Sequence, residues 1–109
     1  MKKRIQFRQG DVFLERIDSI PAAATEKERD AGRVVLAYGE VTGHAHAIME
    51  TNATLLSLLT DGAEEFYLKA DGSVTLRHEE HAPIDLPGGS YRIIHQREYH
   101  PEEIRRVLD

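Results

Sequence analysis

The chain has 109 residues, which is the size of one compact domain, so we expect a single domain over residues 1–109. Hydrophobic residues make up 40% and charged residues 30%, which excludes a disordered or fibrous chain and leaves no apolar run long enough for a bilayer. The net charge of −5 and the scattered basic residues exclude a phosphate-tracking surface, so neither nucleic acid nor a membrane is expected as a partner. A charged, polar stretch follows the basic N-terminus where a secretory signal needs apolar residues, which predicts a cytoplasmic protein.

The first half of the chain carries three predicted strands. The first lies in Gln9–Ile17 and ends before Pro21. Ala22–Asp30 is rich in Ala, Glu and Lys with almost no apolar face, which predicts a solvated excursion. Arg33–Tyr38 and Glu40–Glu50 are the second and third strands.

The second half is predicted to be mainly strand as well. The leucine-rich run Asn52–Leu59 fits a helix or a strand. Asp71-Gly72 predicts a type I′ turn in a hairpin that joins Glu65–Ala70 to Ser73–His78. Ser90–Glu98 alternates like a further strand.

The chain ends in a predicted short helix, His100–Leu108, with proline near its start and arginines in its last turn. Many short strands with Gly and Pro turns predict an all-β fold, a small barrel or β-sandwich, with this one C-terminal helix.

All six histidines lie between His44 and His100. In a strand, His44, His46 and Glu50 have the same parity, so two imidazoles and a carboxylate face the same space. Such a set binds a divalent transition metal, and Fe, Mn, Ni and Zn are the expected ions. Because cysteine is absent, any protein ligand must be an imidazole or a carboxylate.

Further ligands must come from elsewhere in the chain, and His81 and His95 are the two alternatives. His78 is interpreted as a half-buried strand residue and His100 as part of a helix entrance. A histidine-triad nucleotide-binding motif is excluded, since it requires a histidine where Ile48 stands.

Gly39, His44-Ala45-His46 and Glu50 resemble the first conserved motif of the cupins, which are small β-barrels. Pro87-Gly88-Gly89 resembles the turn of the second cupin motif. The resemblance implies a cupin-like barrel with a metal held inside it by four residues, which are His44, His46, Glu50 and His95.

We therefore expect a small metal-binding protein that acts, if it is an enzyme, on a small molecule. The alternative is a non-enzymatic module that binds a metal, a ligand or a partner protein. A homo-oligomer is expected too, because a small barrel often covers an edge strand with a second copy.

Overall fold

A computed structural model describes residues 5–39, 41 and 43–95. These residues form ten strands and no helix, and accordingly this part of the chain has no helix that could cross a membrane. The strands are β1 (Gln6–Gln9), β2 (Val12–Ile17), β3 (Thr25–Glu26), β4 (Val34–Tyr38), β5 (Ala45–Ile48), β6 (Ala53–Thr60), β7 (Ala63–Ala70), β8 (Val74–Arg77), β9 (Ile84–Leu86) and β10 (Gly89–His95). The all-β prediction is confirmed, whereas the helix predicted for His100–Leu108 lies outside the described residues.

The strands form two antiparallel sheets that share one hydrophobic core. The large sheet has the order β1-β2-β10-β7-β6-β3 and the small sheet the order β4-β5-β8-β9. Alternation along each strand directs Leu14 and Leu68 of the large sheet, and Ile48 and Leu76 of the small sheet, into this core. No pairing between the described strands closes the two sheets into a barrel.

The predicted hairpin at Asp71-Gly72 is wrong. The chain crosses there from β7 in the large sheet to β8 in the small sheet. Ala70 already has a partner on each side, Ala53 and Gly89, so β8 cannot add to β7 at that end. The true type I′ turn is Asp61-Gly62, where both residues have positive φ, 51° and 81°.

The leucine-rich run, which fits a helix or a strand by its sequence, is a strand that leads into this turn. The run belongs to β6, which pairs with β7 over eight residues from Ala53 to Thr60. The segment Ala22–Asp30 is solvated as predicted, but hydrogen bonds hold it against β6 and the residues before it. Thr25 and Glu26 pair with β6. The guanidinium of Arg29 donates to the Glu50 carbonyl at 2.7 Å and to the Ala53 carbonyl at 2.9 Å.

Tyr91 is the largest fully buried side chain of the core. Its hydroxyl donates to the Pro87 carbonyl, and its ring meets the Phe7 ring edge-on with centroids 6.1 Å apart. Burial raises the pKa of Tyr91 above the ordinary value of 10.0.

Tyr91→Phe is expected to lower the free energy of unfolding by about 1–2 kcal/mol at neutral pH, because the Pro87 carbonyl loses its donor. The raised folded-state pKa adds a second effect. The stability that the Tyr91 hydroxyl contributes is complete below the unfolded-state pKa of about 10 and is lost as the pH rises through the folded-state pKa. The variant should therefore lose less stability than the wild type between about pH 8 and about pH 10.5, which urea unfolding at both values measures. An equal loss in both proteins would contradict the assignment.

Candidate functional site

His46 is the buried centre of a histidine cluster, with 2% of its surface exposed. It lies on β5 with its ring on the core side of the small sheet, and its Nδ1 is 2.8 Å from Gln9 Oε1. Gln9 is equally buried, and its amide nitrogen donates to the Leu76 and Ala82 carbonyls, both at 2.9 Å. Since those bonds use the amide hydrogens, Oε1 must be an acceptor and His46 Nδ1 must be the donor. In the neutral ring, Nε2 then carries a lone pair, the form in which imidazole binds a metal.

His78 lies across from His46. β5 pairs with β8 through Ala47↔Arg77, and one step further in this register His46 faces His78. The centroids of these two rings are 4.2 Å apart. The His78 ring also lies 5.8 Å from that of His44 and 4.7 Å from that of His81. Four imidazoles therefore converge, with His78 in contact with each of the others.

Two glycines allow this approach. Gly39 donates its N–H to the His44 carbonyl, and a Cβ at Gly39 would lie 3.0 Å from His44 Cβ. Gly10, in the turn between β1 and β2, has a φ of +59°. A Cβ there would lie 2.9 Å from His81 Nε2 and 3.2 Å from His46 Cε1. The absence of a side chain at these two positions leaves room for the rings.

Two carboxylates follow β8 beside the rings. The Ala45 N–H donates to Glu79 Oε1 at 2.9 Å. This bond is the main reason why the pKa of Glu79 lies below its ordinary value; the Glu79 N–H and the neighbouring His44 and His78 lower it further, against a smaller effect of desolvation. Glu80 Oε2 lies 3.5 Å from His44 Nδ1.

The backbone of Glu80 sets the tautomer of His78. Its N–H donates to His78 Nδ1 at 3.0 Å, so the hydrogen of the neutral ring sits on Nε2. His46 and His78 thus present opposite tautomers across a short distance.

The rings border an open cleft of about 220 Å³. Its lining consists of Asp11, Gly39, Val41, His44, His46, His78, Glu80 and His81. At its edge, one nitrogen each of His44 and His78 and one carboxylate oxygen of Glu79 all lie within 4.8 Å of one another. Nitrogen and oxygen donors at this spacing suit a divalent transition metal.

Three of the five predicted ligands, His44, His46 and His81, come together in this cleft, whereas Glu50 and His95 are not among the residues that line it. β5 ends at Ile48, so strand parity does not extend to Glu50, whose Oε1 is buried and has no hydrogen-bond partner among the described residues. His95 Nε2 lies 2.6 Å from the Leu36 carbonyl and must donate to it, and His95 borders a different cavity, together with Phe66 and Arg92 of the large sheet.

Sequence reasoning missed Gln9 and Gly10 and interpreted His78 as structural. His78 reaches the cluster only because β8 pairs with β5, whereas the sequence indicated a pairing with β7. Gln9 lies 37 residues before His46, and no local pattern links the two.

A family model described as a domain of unknown function (DUF8820) matches residues 8–96. The chain belongs to the DUF8820 family. The DUF8820 match runs from β1 to just beyond β10 and includes every residue that lines the cleft. No curated protein and no solved structure matches the chain.

Gln9→Met is expected to lower the free energy of unfolding by at least about 2 kcal/mol, because His46 Nδ1 and two carbonyls lose their partner in a buried place. Nitrogen-15 NMR of the imidazoles should show His46 in the Nδ1–H form in the wild type and a mixture of tautomers in the variant. The matched control is Gln6→Met on the same strand, whose amide makes only an exposed contact with Glu15 at 3.4 Å. Its effect should stay within about 0.5 kcal/mol, and a similar loss for both variants would argue against the buried network.

Proposed function

We propose that the protein binds a divalent transition metal at the edge of the histidine cleft through His44, His78 and Glu79, with His46 Nε2 as a further ligand. The observation that carries the proposal is the approach of three ligand atoms, from His44, His78 and Glu79, to within 4.8 Å of one another. The orientation of His46 supports it, because a hydrogen bond from the second ring nitrogen is the usual way in which proteins orient a ligating histidine.

The donor set narrows the choice of ion. Imidazole and carboxylate, without thiolate, suit Fe(II), Mn(II), Ni(II) and Zn(II). Glu79 is a carboxylate at neutral pH and supplies negative charge to a bound cation, and its lowered pKa preserves this charge in more acidic solution. The cupin resemblance also implies a metal inside a β fold, but our proposal takes His78 and Glu79 in place of Glu50 and His95.

If the bound metal has a coordination position that no protein ligand occupies, we propose that the protein is an enzyme that acts on a small molecule. The cleft supports this version, since about 220 Å³ of open space lies beside the proposed ligands and leaves room for a water or a substrate atom on the metal. A site closed by four protein ligands would instead make it a non-enzymatic metal-binding module. Adding azide to the Co(II) protein separates the two, because the ion takes up this anion and changes its visible spectrum only where a coordination position is open or held by water.

The metal proposal is tested by Co(II) titration of protein purified without a histidine tag. His78→Gln and His46→Gln should each weaken Co(II) binding by at least about tenfold, since each removes one ligand. The matched control is His95→Gln, which should bind like the wild type. Because binding at His78 must displace the Glu80 N–H from Nδ1 or change the tautomer, the Glu80 amide resonance should shift on adding Zn(II). Wild-type protein that binds neither ion, or equal losses in all three variants, would overturn the proposal.

A pair of glycine variants tests the cleft without removing a ligand. Gly10→Ala and Gly62→Ala both place alanine at a positive φ, +59° and +81°, so each should lose about 1–2 kcal/mol of stability. Only Gly10→Ala adds a methyl group against His81 and His46, whereas a Cβ at Gly62 meets nothing within 4 Å. Co(II) affinity should therefore fall in the first variant alone; an equal fall in both would show that the effect is one of general stability.

A further inference from the structure

The outer face of the small sheet carries a second cavity, of about 380 Å³. Its lining consists of Arg33, Ala45, Ala47, Met49, Arg77, His78 and Glu79. Alternation along β5 turns His46 and Ile48 to the core and therefore Ala45 and Ala47 outward. These two alanines are only 3% and 4% exposed, because the longer side chains around them form the walls of a groove whose floor they are. We call this cavity the alanine groove.

Two arginines border the alanine groove from opposite sides. Val35 and Arg77 are the register partners of Ala47 on its two neighbouring strands, and Arg33 lies two residues before Val35. Within residues 5–39, 41 and 43–95, neither guanidinium forms an ion pair, and the side chain of Arg33 makes one hydrogen bond, at 3.5 Å to the Asp30 carbonyl. The lining of this cavity thus carries two guanidinium groups and one carboxylate, that of Glu79, in a chain whose net charge is −5.

The alanine groove adjoins the histidine cleft. His78 lines both cavities, and Glu79 lies beside it with Oε1 held by the Ala45 N–H. The groove therefore presents guanidinium groups on both sides of the alanine floor, an apolar surface over the alanines and Met49, and the proposed metal ligands where it meets the histidine cleft.

We propose that the alanine groove binds a small phosphate monoester, with its phosphate between Arg33 and Arg77 and its organic part over Ala45 and Ala47 towards His78. A phosphate dianion carries two charges on three accepting oxygens, so it gains more from two guanidinium forks than a singly charged carboxylate with two oxygens does. The volume lies in the range of small-molecule sites. The idea that the phosphate monoester is a substrate of the metal centre rests on the proposed function. Binding of the ester itself requires only the alanine groove.

The test is calorimetric titration of metal-free, full-length protein with phenyl phosphate. Arg77→Gln and Arg33→Gln should each weaken binding by at least about tenfold, since each removes a charged hydrogen-bonding partner of the phosphate. The matched control is Arg92→Gln, whose guanidinium lies 3.8 Å from Glu15 on the large sheet; it should bind like the wild type. Absence of binding to the wild-type protein, or equal binding by all three variants, would overturn the inference.

Two further measurements identify the ligand class and its place. Benzoate should bind at least about tenfold more weakly than phenyl phosphate, and equal affinities would overturn the choice of phosphate. Ala47→Leu should prevent phenyl phosphate from binding, because the larger side chain fills the groove above the alanine floor. Circular dichroism checks that this variant folds. If Ala47→Leu does not fold, Arg77→Gln still tests the inference, because Arg77 is exposed.

The failure of this inference can be told apart from that of the metal proposal. His46 does not line the alanine groove, so His46→Gln should lose Co(II) affinity and keep its affinity for phenyl phosphate. If wild-type protein binds phenyl phosphate but not Co(II), the result supports the phosphate site in the alanine groove and contradicts the metal centre. The reverse result leaves the metal centre and removes the groove.

Discussion

Antiparallel pairing between β5 and β8 determines which side chains of the small sheet face the histidine cleft and which face the alanine groove. The pairs Ala47↔Arg77 and Ile48↔Leu76 continue in register to His46 opposite His78. Because side chains alternate, the same pairing turns the two rings inward and the alanine floor outward. A slip by one residue would exchange the faces, and it is opposed by Ile48 and Leu76, both 0% exposed in the core. The position of both cavities thus depends on the burial of a few aliphatic side chains.

Gln9 supplies the second constraint, because it links the two sheets. It belongs to the large sheet, yet its side chain bonds the His46 ring of β5 and the carbonyls of Leu76 and Ala82. Buried polar groups without partners are strongly destabilising, and here the amide and the ring satisfy one another. The tautomer of His46 is therefore a consequence of how the sheets pack together, and it leaves the lone pair of the neutral ring on Nε2.

The two Asp-Gly pairs show how far local sequence predicts this fold. Asp61-Gly62 and Asp71-Gly72 have the same turn chemistry, but only the first closes a hairpin. The difference arises at Ala70, whose two backbone neighbours in the large sheet leave no edge for the following strand. Turn propensity is local, whereas the availability of a strand edge depends on residues far along the chain, so the sequence indicated that the chain turns at Asp71-Gly72 but not into which sheet.

The sequence by itself determined the all-β class and the histidine and carboxylate character of the cleft, since these follow from composition and from the two-residue period of strands. It also indicated that His44 and His46 lie close together, although β5 begins at Ala45 and the strand period covers only His46. Only the tertiary structure decided that His78 joins them and that Glu50 and His95 do not line the cleft. A strand period states which side chains share a face, but it does not state which strands are neighbours or where a strand ends. Those depend on pairing across long sequence separations, which the packing of the two sheets selects.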